Sequence, residues 1–304
     1  MIERYPSTHY RYARDYFDPD PGLVVLSRDA AIIGLDRPTQ APYEYDEEII
    51  LAVNAALAAG RPLLVAGPAG TGKSALAANI AAQLGWDYQA KVVTSATEGR
   101  DLLWKFDAVQ RLHDAYVPGA AADLPVENYL SKGVLWHAFD ASQQGRRTVV
   151  LIDEIDKADP DVPNSLLEVL GNGEITVDVI KGPARQVRVD DDSSPLVVIT
   201  TNDERELSRP FRRRCVTLTL AAPSASRLVG IAERWGLTSG SDRAVAERVA
   251  LEVAELKPPL SPNVAEYLDA LRVCLKLDIA VGGHEWAAVK RATLTKQLDP
   301  AMPG

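Results

Sequence analysis

Cysteine is nearly absent from the sequence: Cys215 and Cys274 are the only two in 304 residues. So distant a pair builds neither a disulfide framework nor a cysteine zinc site, and it suits a reducing compartment. The four histidines lack ligand-like spacing, which removes the usual imidazole metal centre. No apolar stretch approaches the length of a membrane span. The N-terminal MIERYPSTHYRYARDYFDPD has no apolar core of the signal-peptide kind, so a cytoplasmic location is expected. Positive charge is in deficit too. With 33 Lys and Arg against 42 Asp and Glu, the net charge of −9 argues against a broad phosphate-binding surface, and nucleic acid is not the expected partner. What is present, 46% hydrophobic and 25% charged residues, suits a globular protein with one large domain or two modest ones.

The first forty or so residues mix aromatic, Arg, Asp and Pro residues without a period and read as an irregular arm lying on a folded body. Residues 46–59 (DEEIILAVNAALAA) predict a helix, with acids in its first turn and Gly60 after its end. Next come a short apolar run at 62–66 (PLLVA), the glycine-rich GPAGTGKS, and a helix-forming stretch that stops at Gly85. Further apolar runs lie at 90–94, 148–155, 196–201 and 216–220. Their hydrophobicity is continuous rather than alternating, which predicts a parallel sheet covered by helices on both faces. Residues 174–192 give two alternating stretches around Lys181-Gly182-Pro183 and read as a hairpin. After Pro223 four helical patterns follow, broken at Gly236, Pro258-Pro259 and Gly282-Gly283. The expected division is an arm at 1–44, an α/β nucleotide-binding domain at 45–222 and a helical lid at 223–304.

Gly67-Pro68-Ala69-Gly70-Thr71-Gly72-Lys73-Ser74 fits G-x-x-x-x-G-K-[ST] and sits between a strand and a helix, as a phosphate loop requires. Its glycines let backbone N–H groups turn inward to a β-phosphate, and the following helix offers its positive end to the anion. Lys73 is expected to reach the β- and γ-phosphates of ATP, and Ser74 to give Mg²⁺ an oxygen ligand. The apolar run 149–152 ends in Asp153 and Glu154. Asp153 is the candidate for orienting the Mg²⁺ shell, and Glu154 for polarising the attacking water. Thr201 and Asn202 follow a third apolar run, and Asn202 could hold that water or sense the γ-phosphate through its amide. The basic cluster Arg209-Pro210-Phe211-Arg212-Arg213-Arg214 precedes the last run. It reads either as a solvated helix end or as an arginine finger for a neighbouring subunit, with Arg213 and Arg214 the candidates.

The order GPAGTGKS, VVLIDEID, VVITTN, PFRRRC and a helical tail, over roughly residues 45–300, resembles the AAA+ ATPases. More narrowly, DEIDKADPDVPNSLLEVLGNGEITV with a hairpin before VVITTN looks like the MoxR-like group and its dynein-related relatives. The resemblance implies a P-loop α/β core with a helical lid, a Walker A at 67–74, a Walker B at Asp153 and Glu154, sensor 1 at Asn202, and a finger within 212–214. It also implies a homo-oligomeric ring, commonly a hexamer, with ATP between subunits. One departure stands out. The group usually carries a sensor 2 arginine after a Ser-Pro-like step, and here Ser261-Pro262 is followed by Asn263: either Arg272 or another basic residue substitutes for it, or the lid contributes no cation to the γ-phosphate. Residues 116–130 (YVPGAAADLPVENYL) look inserted, as a loop facing a pore or partner or as a plain surface loop.

Two functions follow. One is a Mg²⁺-dependent ATPase ring that remodels or activates a protein client. The other is a nucleotide-controlled assembly module with slow hydrolysis, of the kind found in bacterial conflict systems. Ile33, Gly34 and residues 42–45 are candidates to line the adenine, with packing as their alternative role.

Overall fold

Runs of residues apolar on both faces cannot stand at a wet surface, and in the computed structural model they become the middle of one sheet. The structure describes residues 14–20, 42–116, 125–180, 186–256 and 263–295. Strands β1 (Leu63–Ala66), β5 (Thr148–Asp153) and β8 (Leu196–Thr201) are buried along almost their whole length. They are flanked by β2 (Asp87–Val92) and β9 (Val216–Thr219) in the order β2-β5-β8-β1-β9, all parallel. The two edge strands alternate in burial, as strands with one poorly covered side must. The strand expected at 90–94 runs instead over 87–92, and Val93, buried in the core, still donates its N–H to Asp153 O at 2.9 Å before the chain leaves the sheet.

Helices cover both faces. Helix α1 (Glu47–Ala59), capped by Asp46 and stopped by Gly60, packs with α2 (Lys73–Leu84) on one side. Phe17 joins that cluster at 1% exposure, and Asn54 clamps its backbone from both ends: Phe17 N donates to Oδ1 at 3.0 Å and Nδ2 donates to Phe17 O at 2.7 Å. Residues 14–20 therefore pack against the body; residues 1–13 and 21–41 are outside the described residues.

On the opposite face sit α4 (Val134–Ser142) and α5 (Asp161–Asn172). Between β2 and α4 the chain makes a small antiparallel pair, β3 (Trp104–Phe106) with β4 (Leu130–Lys132), which carries α3 (Ala108–Tyr116). The expected hairpin is present as β6 (Glu174–Thr176) with β7 (Gln186–Arg188), antiparallel, its turn outside the described residues. Strand β3 and helix α3 are not among the elements the sequence predicts, since three-residue strands leave too short an alternation to see.

The C-terminal part is helical: α7 (Ala225–Arg234), α8 (Asp242–Glu255), α9 (Val264–Leu277) and α10 (His284–Lys290), after the short α6 (Arg209–Arg213). These four helices bury their own apolar cluster, including Leu228, Leu237, Val249, Tyr267 and Leu271, separate from those of the sheet. Two ion pairs tie α7 to the segment entering α1, Arg227 to Asp46 and Arg234 to Glu44.

Candidate active site

The three central strands end together. Ala66 pairs in register with Thr201, Ile152 with Ile199, and Val92 with Asp153, so residues 67, 202 and 153 reach one edge of the sheet. Burying Val149, Val150, Leu151 and Ile152 stabilises by about 1.5–3 kcal/mol each. A one-residue slip would drag Asp153 into that interior, so apolar packing fixes where the carboxylate stands.

The loop after β1 depends on glycine at three points. Gly67 has φ +142°, and a Cβ there would lie 2.2 Å from the Leu220 carbonyl oxygen. Gly70 at φ +74° meets the side chain of Asn263, and Gly72 at φ +94° lies under the ring of Tyr43. Within the loop, Lys73 Nζ donates to the carbonyl oxygens of Gly67 and Pro68, both at 2.7 Å. Burial lowers the Lys73 pKa, opposed by Asp153 and other nearby carboxylates. An ammonium folded onto backbone carbonyls in the hollow of the loop is a cation ready for an anion. Thr71 Oγ1 closes the turn on Pro68 O at 3.0 Å; Ala69 adds no side-chain bond among those described.

Ser74 Oγ donates to both oxygens of Asp153, at 2.7 and 2.9 Å, so the two candidate metal ligands are in contact. Thr200 Oγ1 donates to Asp153 Oδ1 at 2.6 Å and accepts from the Glu154 backbone N–H at 2.8 Å. Thr200 is a site residue that sequence reasoning misses; Thr201, which it singles out, uses its hydroxyl to accept from Asp203 N at 3.0 Å. The period-two alternation of a strand, counted from β8 outward, is the signal that could separate them.

Glu154 stands at φ 61°, in the left-handed region. Such a backbone is uncommon outside glycine and is tolerated where surroundings over-determine it. Its Oε1 lies 3.5 Å from Asn202 Nδ2, and its Oε2 accepts from Lys157 Nζ at 2.8 Å. Asp156, 3% exposed, accepts from the backbone N–H groups of Asn202 and Glu204 at 3.0 and 3.1 Å, which pins the loop carrying Asn202 beside Glu154. Asp156 is another residue missed, because an acid two positions after a motif carries no sequence signal of its own.

The structure does not bring the basic cluster to this point. Arg212 pairs with Glu206 at 2.8 Å. Arg213 and Arg214 are exposed, and neither side chain has a partner among the described residues. On the lid, Asn263 caps α9 through a reciprocal pair with Glu266, both bonds at 3.0 Å, and Val264 N–H donates to Gly70 O at 3.1 Å. Arg272, nine residues further along, stacks its guanidinium 5.0 Å from the Trp235 ring centre and pairs with Asp269 at 3.2 Å, both within the lid. Of the adenine candidates, Tyr43 lies against Gly72 with its hydroxyl buried and unpartnered among the described residues, and Tyr45 Oη donates to Asn79 Oδ1 at 2.6 Å. Ile33 and Gly34, like Ser261 and Pro262, fall outside the described residues.

A glycine loop opening a helix at the carboxyl edge of a parallel sheet, with a serine–aspartate contact behind it, defines a P-loop nucleoside triphosphatase. The family model of the AAA domain, dynein-related subfamily, matches residues 62–215, just over half the chain, and the protein belongs to that family. It is therefore an ATPase with a nucleotide site of the AAA type. Among solved structures, two point mutants of RuvB from Thermotoga maritima are each 19% identical; the match covers 84% of this chain and 73% or 72% of theirs, with TM-scores of 0.47 and 0.48. A candidate ATPase from Cytophaga hutchinsonii is 14% identical over 78% of this chain and 61% of its own, with a TM-score of 0.45. No curated protein matches the chain.

Proposed function

We propose that this chain is a MoxR-like, ring-forming AAA+ ATPase that couples Mg²⁺-dependent ATP hydrolysis to remodelling or activating a protein partner. The supporting observation is the convergence of Ser74, Asp153 and Thr200 on one side, and Glu154 with Asn202 on the other, at the open end of the P-loop. That donor set fits a magnesium nucleotide: hard oxygens from a hydroxyl and a carboxylate, with a lysine ammonium and backbone N–H groups for phosphate.

In this reading residues 67–72 cradle the phosphates and Lys73 leaves the carbonyls of Gly67 and Pro68 for phosphate oxygens. Ser74 and Asp153 hold the Mg²⁺ shell, with Thr200 fixing the orientation of Asp153. Glu154 takes the proton of the attacking water, and Asn202 orients that water. ATP with Mg²⁺ supplies the phosphoryl group and the cation that offsets its charge. Arg213 and Arg214, exposed at the end of α6, are offered to the phosphate of the next subunit. Residues 45–222 are the nucleotide domain, 223–304 the lid and 1–44 an arm; the partner is recognised by the arm, the β3–β4 insertion or the β6–β7 hairpin.

A second reading is carried by the lid. Asn263 spends its side chain on its own helix and Arg272 is engaged within the lid, so neither gives the γ-phosphate a cation from that side. Slower turnover, with ATP acting mainly on assembly, is the corresponding function.

ATP hydrolysis across a range of protein concentrations separates these. Turnover that rises steeply with concentration, and is lost in Glu154→Gln and in the Arg213→Ala/Arg214→Ala double variant while both still bind ATP, supports the composite site. A wild type that binds ATP yet turns over no faster than Glu154→Gln at any concentration rejects the motor and favours the assembly module.

A further inference from the structure

Residues 14–20 form a strap over α1 and α2. Arg14 pairs with Glu47 at the start of α1, Phe17 is held by the Asn54 amide in its middle, and Asp20 exchanges two bonds with Gln83 near the end of α2, at 2.9 and 3.1 Å. Phe17 sends its ring into the core. There it meets Tyr45 edge-on, with ring centres 5.4 Å apart, and Tyr45 tilts against Tyr43 at 5.0 Å. Tyr43 in turn covers Gly72: a Cβ at that glycine would stand 3.3 Å from Tyr43 Cε2 and 3.6 Å from its hydroxyl oxygen. A run of rings therefore connects the strap to the residue before Lys73. Phe17 and Tyr45 have hydrogen-bonded anchors of their own, Asn54 for the first and Asn79 for the second. The buried hydroxyl of Tyr43 has no partner among the described residues, so packing rather than a hydrogen bond holds its ring on Gly72.

We propose that Phe17 is a positioning residue for the nucleotide, acting through Tyr45 and Tyr43 to hold Gly72 in the conformation that binds phosphate. The inference rests on residues 67–74 binding ATP and on no step of its hydrolysis. Gly72 caps α2 at φ +94°, a region that glycine enters and leaves at little cost, so what fixes it must come from its surroundings. Its carbonyl accepts the N–H of Leu76 at 3.0 Å, and the two residues after it bring the Lys73 ammonium and the Ser74 hydroxyl. A loop already in its bound shape loses less affinity to ordering. The carboxylates are placed separately: Thr200 holds Asp153, and Asp156 holds the loop of Asn202. The strap thus acts on affinity, and turnover of bound nucleotide is independent of it. Such coupling is reciprocal, so the nucleotide favours the docked strap by the same factor.

The test reads affinity and turnover apart. In Phe17→Ala and Asn54→Ala, KM for ATP and Kd for Mg·ADP are each expected to rise by about two- to tenfold, the contribution of one aromatic pair, with kcat unchanged. Because Phe17→Ala empties a buried site, a second readout uses the wild type alone: hydrogen exchange at the Phe17 amide, which is closed by its bond to Asn54. Saturating Mg·ADP is expected to slow that exchange by the same factor, about two- to tenfold. A purely structural contact would lower the melting temperature of both variants and leave the exchange indifferent to nucleotide. Unchanged Kd in both folded variants, a kcat loss as large as the KM rise, or equal Phe17 exchange with and without Mg·ADP in a wild type that binds it overturns the proposal. A wild type that binds no Mg·ADP removes the nucleotide site itself, and the inference with it.

Discussion

Val264 donates its backbone N–H to the carbonyl oxygen of Gly70 at 3.1 Å, so the first residue of α9 is tied to the middle of the P-loop. Lid and loop share a backbone bond, and any nucleotide that rearranges the loop must also be felt by the lid.

Gly70→Ala tests that tie. A Cβ at Gly70 would lie 2.3 Å from Cβ and Cγ of Asn263, on a backbone at φ +74° that itself disfavours a side chain. The expected cost is about 1–3 kcal/mol, relieved by displacement of α9. Hydrogen exchange should accelerate at the amides of residues 264–267 in the nucleotide-free variant. Unchanged exchange there would mean that the lid does not rest on the loop.

Asp156→Ala should separate catalysis from binding. It removes the acceptor of two backbone donors, at Asn202 and Glu204, each costing about 1–3 kcal/mol when left unsatisfied in a buried place. Asn202 then loses its fixed place beside Glu154, and kcat should fall by about tenfold to a hundredfold. ATP affinity, carried by the P-loop, should change far less; an affinity loss as large as the kcat loss would contradict this division.

The phosphate loop and the Asp153–Glu154 pair are legible because their backbone demands, glycine at positive φ and an apolar run ending in acids, leave a mark in residue type. Adjacency across the sheet is legible only in part. Asn202 is expected near Asp153 if their strands are neighbours, and β5 and β8 are neighbours, but the bond to Asp153 belongs to Thr200. Which of two successive threonines faces a given partner depends on register, which a single strand does not specify. Asp156 and the Lys157–Glu154 bond are invisible for a related reason: acids and lysines after a strand are ordinary surface residues until the next loop closes over them. The lid helices can be read from spacing alone, whereas the contact of Asn263 with Gly70 spans almost two hundred positions and needs the fold.

Two glycines should respond with opposite signs to alanine. At Gly133 an added Cβ would lie 2.5 Å from the backbone of Leu102, so Gly133→Ala is expected to destabilise by about 1–3 kcal/mol. At Gly171, inside α5 with nothing within 4 Å, alanine should stabilise by about 0.5–1 kcal/mol through helix propensity. Urea unfolding of both variants checks the pair, and matching signs would show that the space around them has been misjudged.

Alkaline pH should weaken the fold through its thiols. Burial pushes both Cys215 and Cys274 from an ordinary 9.0 up to about 11. The folded chain thus disfavours the thiolate that the unfolded chain forms readily. This contribution to stability is complete below about pH 9 and is lost as the pH rises toward 11. Melting temperatures of the wild type and a Cys215→Ala/Cys274→Ala variant should diverge less as the pH climbs through that window, and dithionitrobenzoate should label the native protein slowly at pH 8. Rapid labelling of both thiols without unfolding would refute it.

The strand pair β3–β4 gives the molecule a place where sequence can change at little structural expense. Asp107 N–H meets Tyr129 O at 2.8 Å, so the chain leaves and returns at one point. Helix α3, which lies between, buries none of its residues, while Val109 and Tyr116 are 80% and 79% exposed. A graft on the exposed face of α3, at Val109 or Tyr116, such as an epitope or a fluorophore-bearing peptide, would be carried by the hairpin on a helix that buries none of its residues, leaving the nucleotide site free to report on whatever the graft binds.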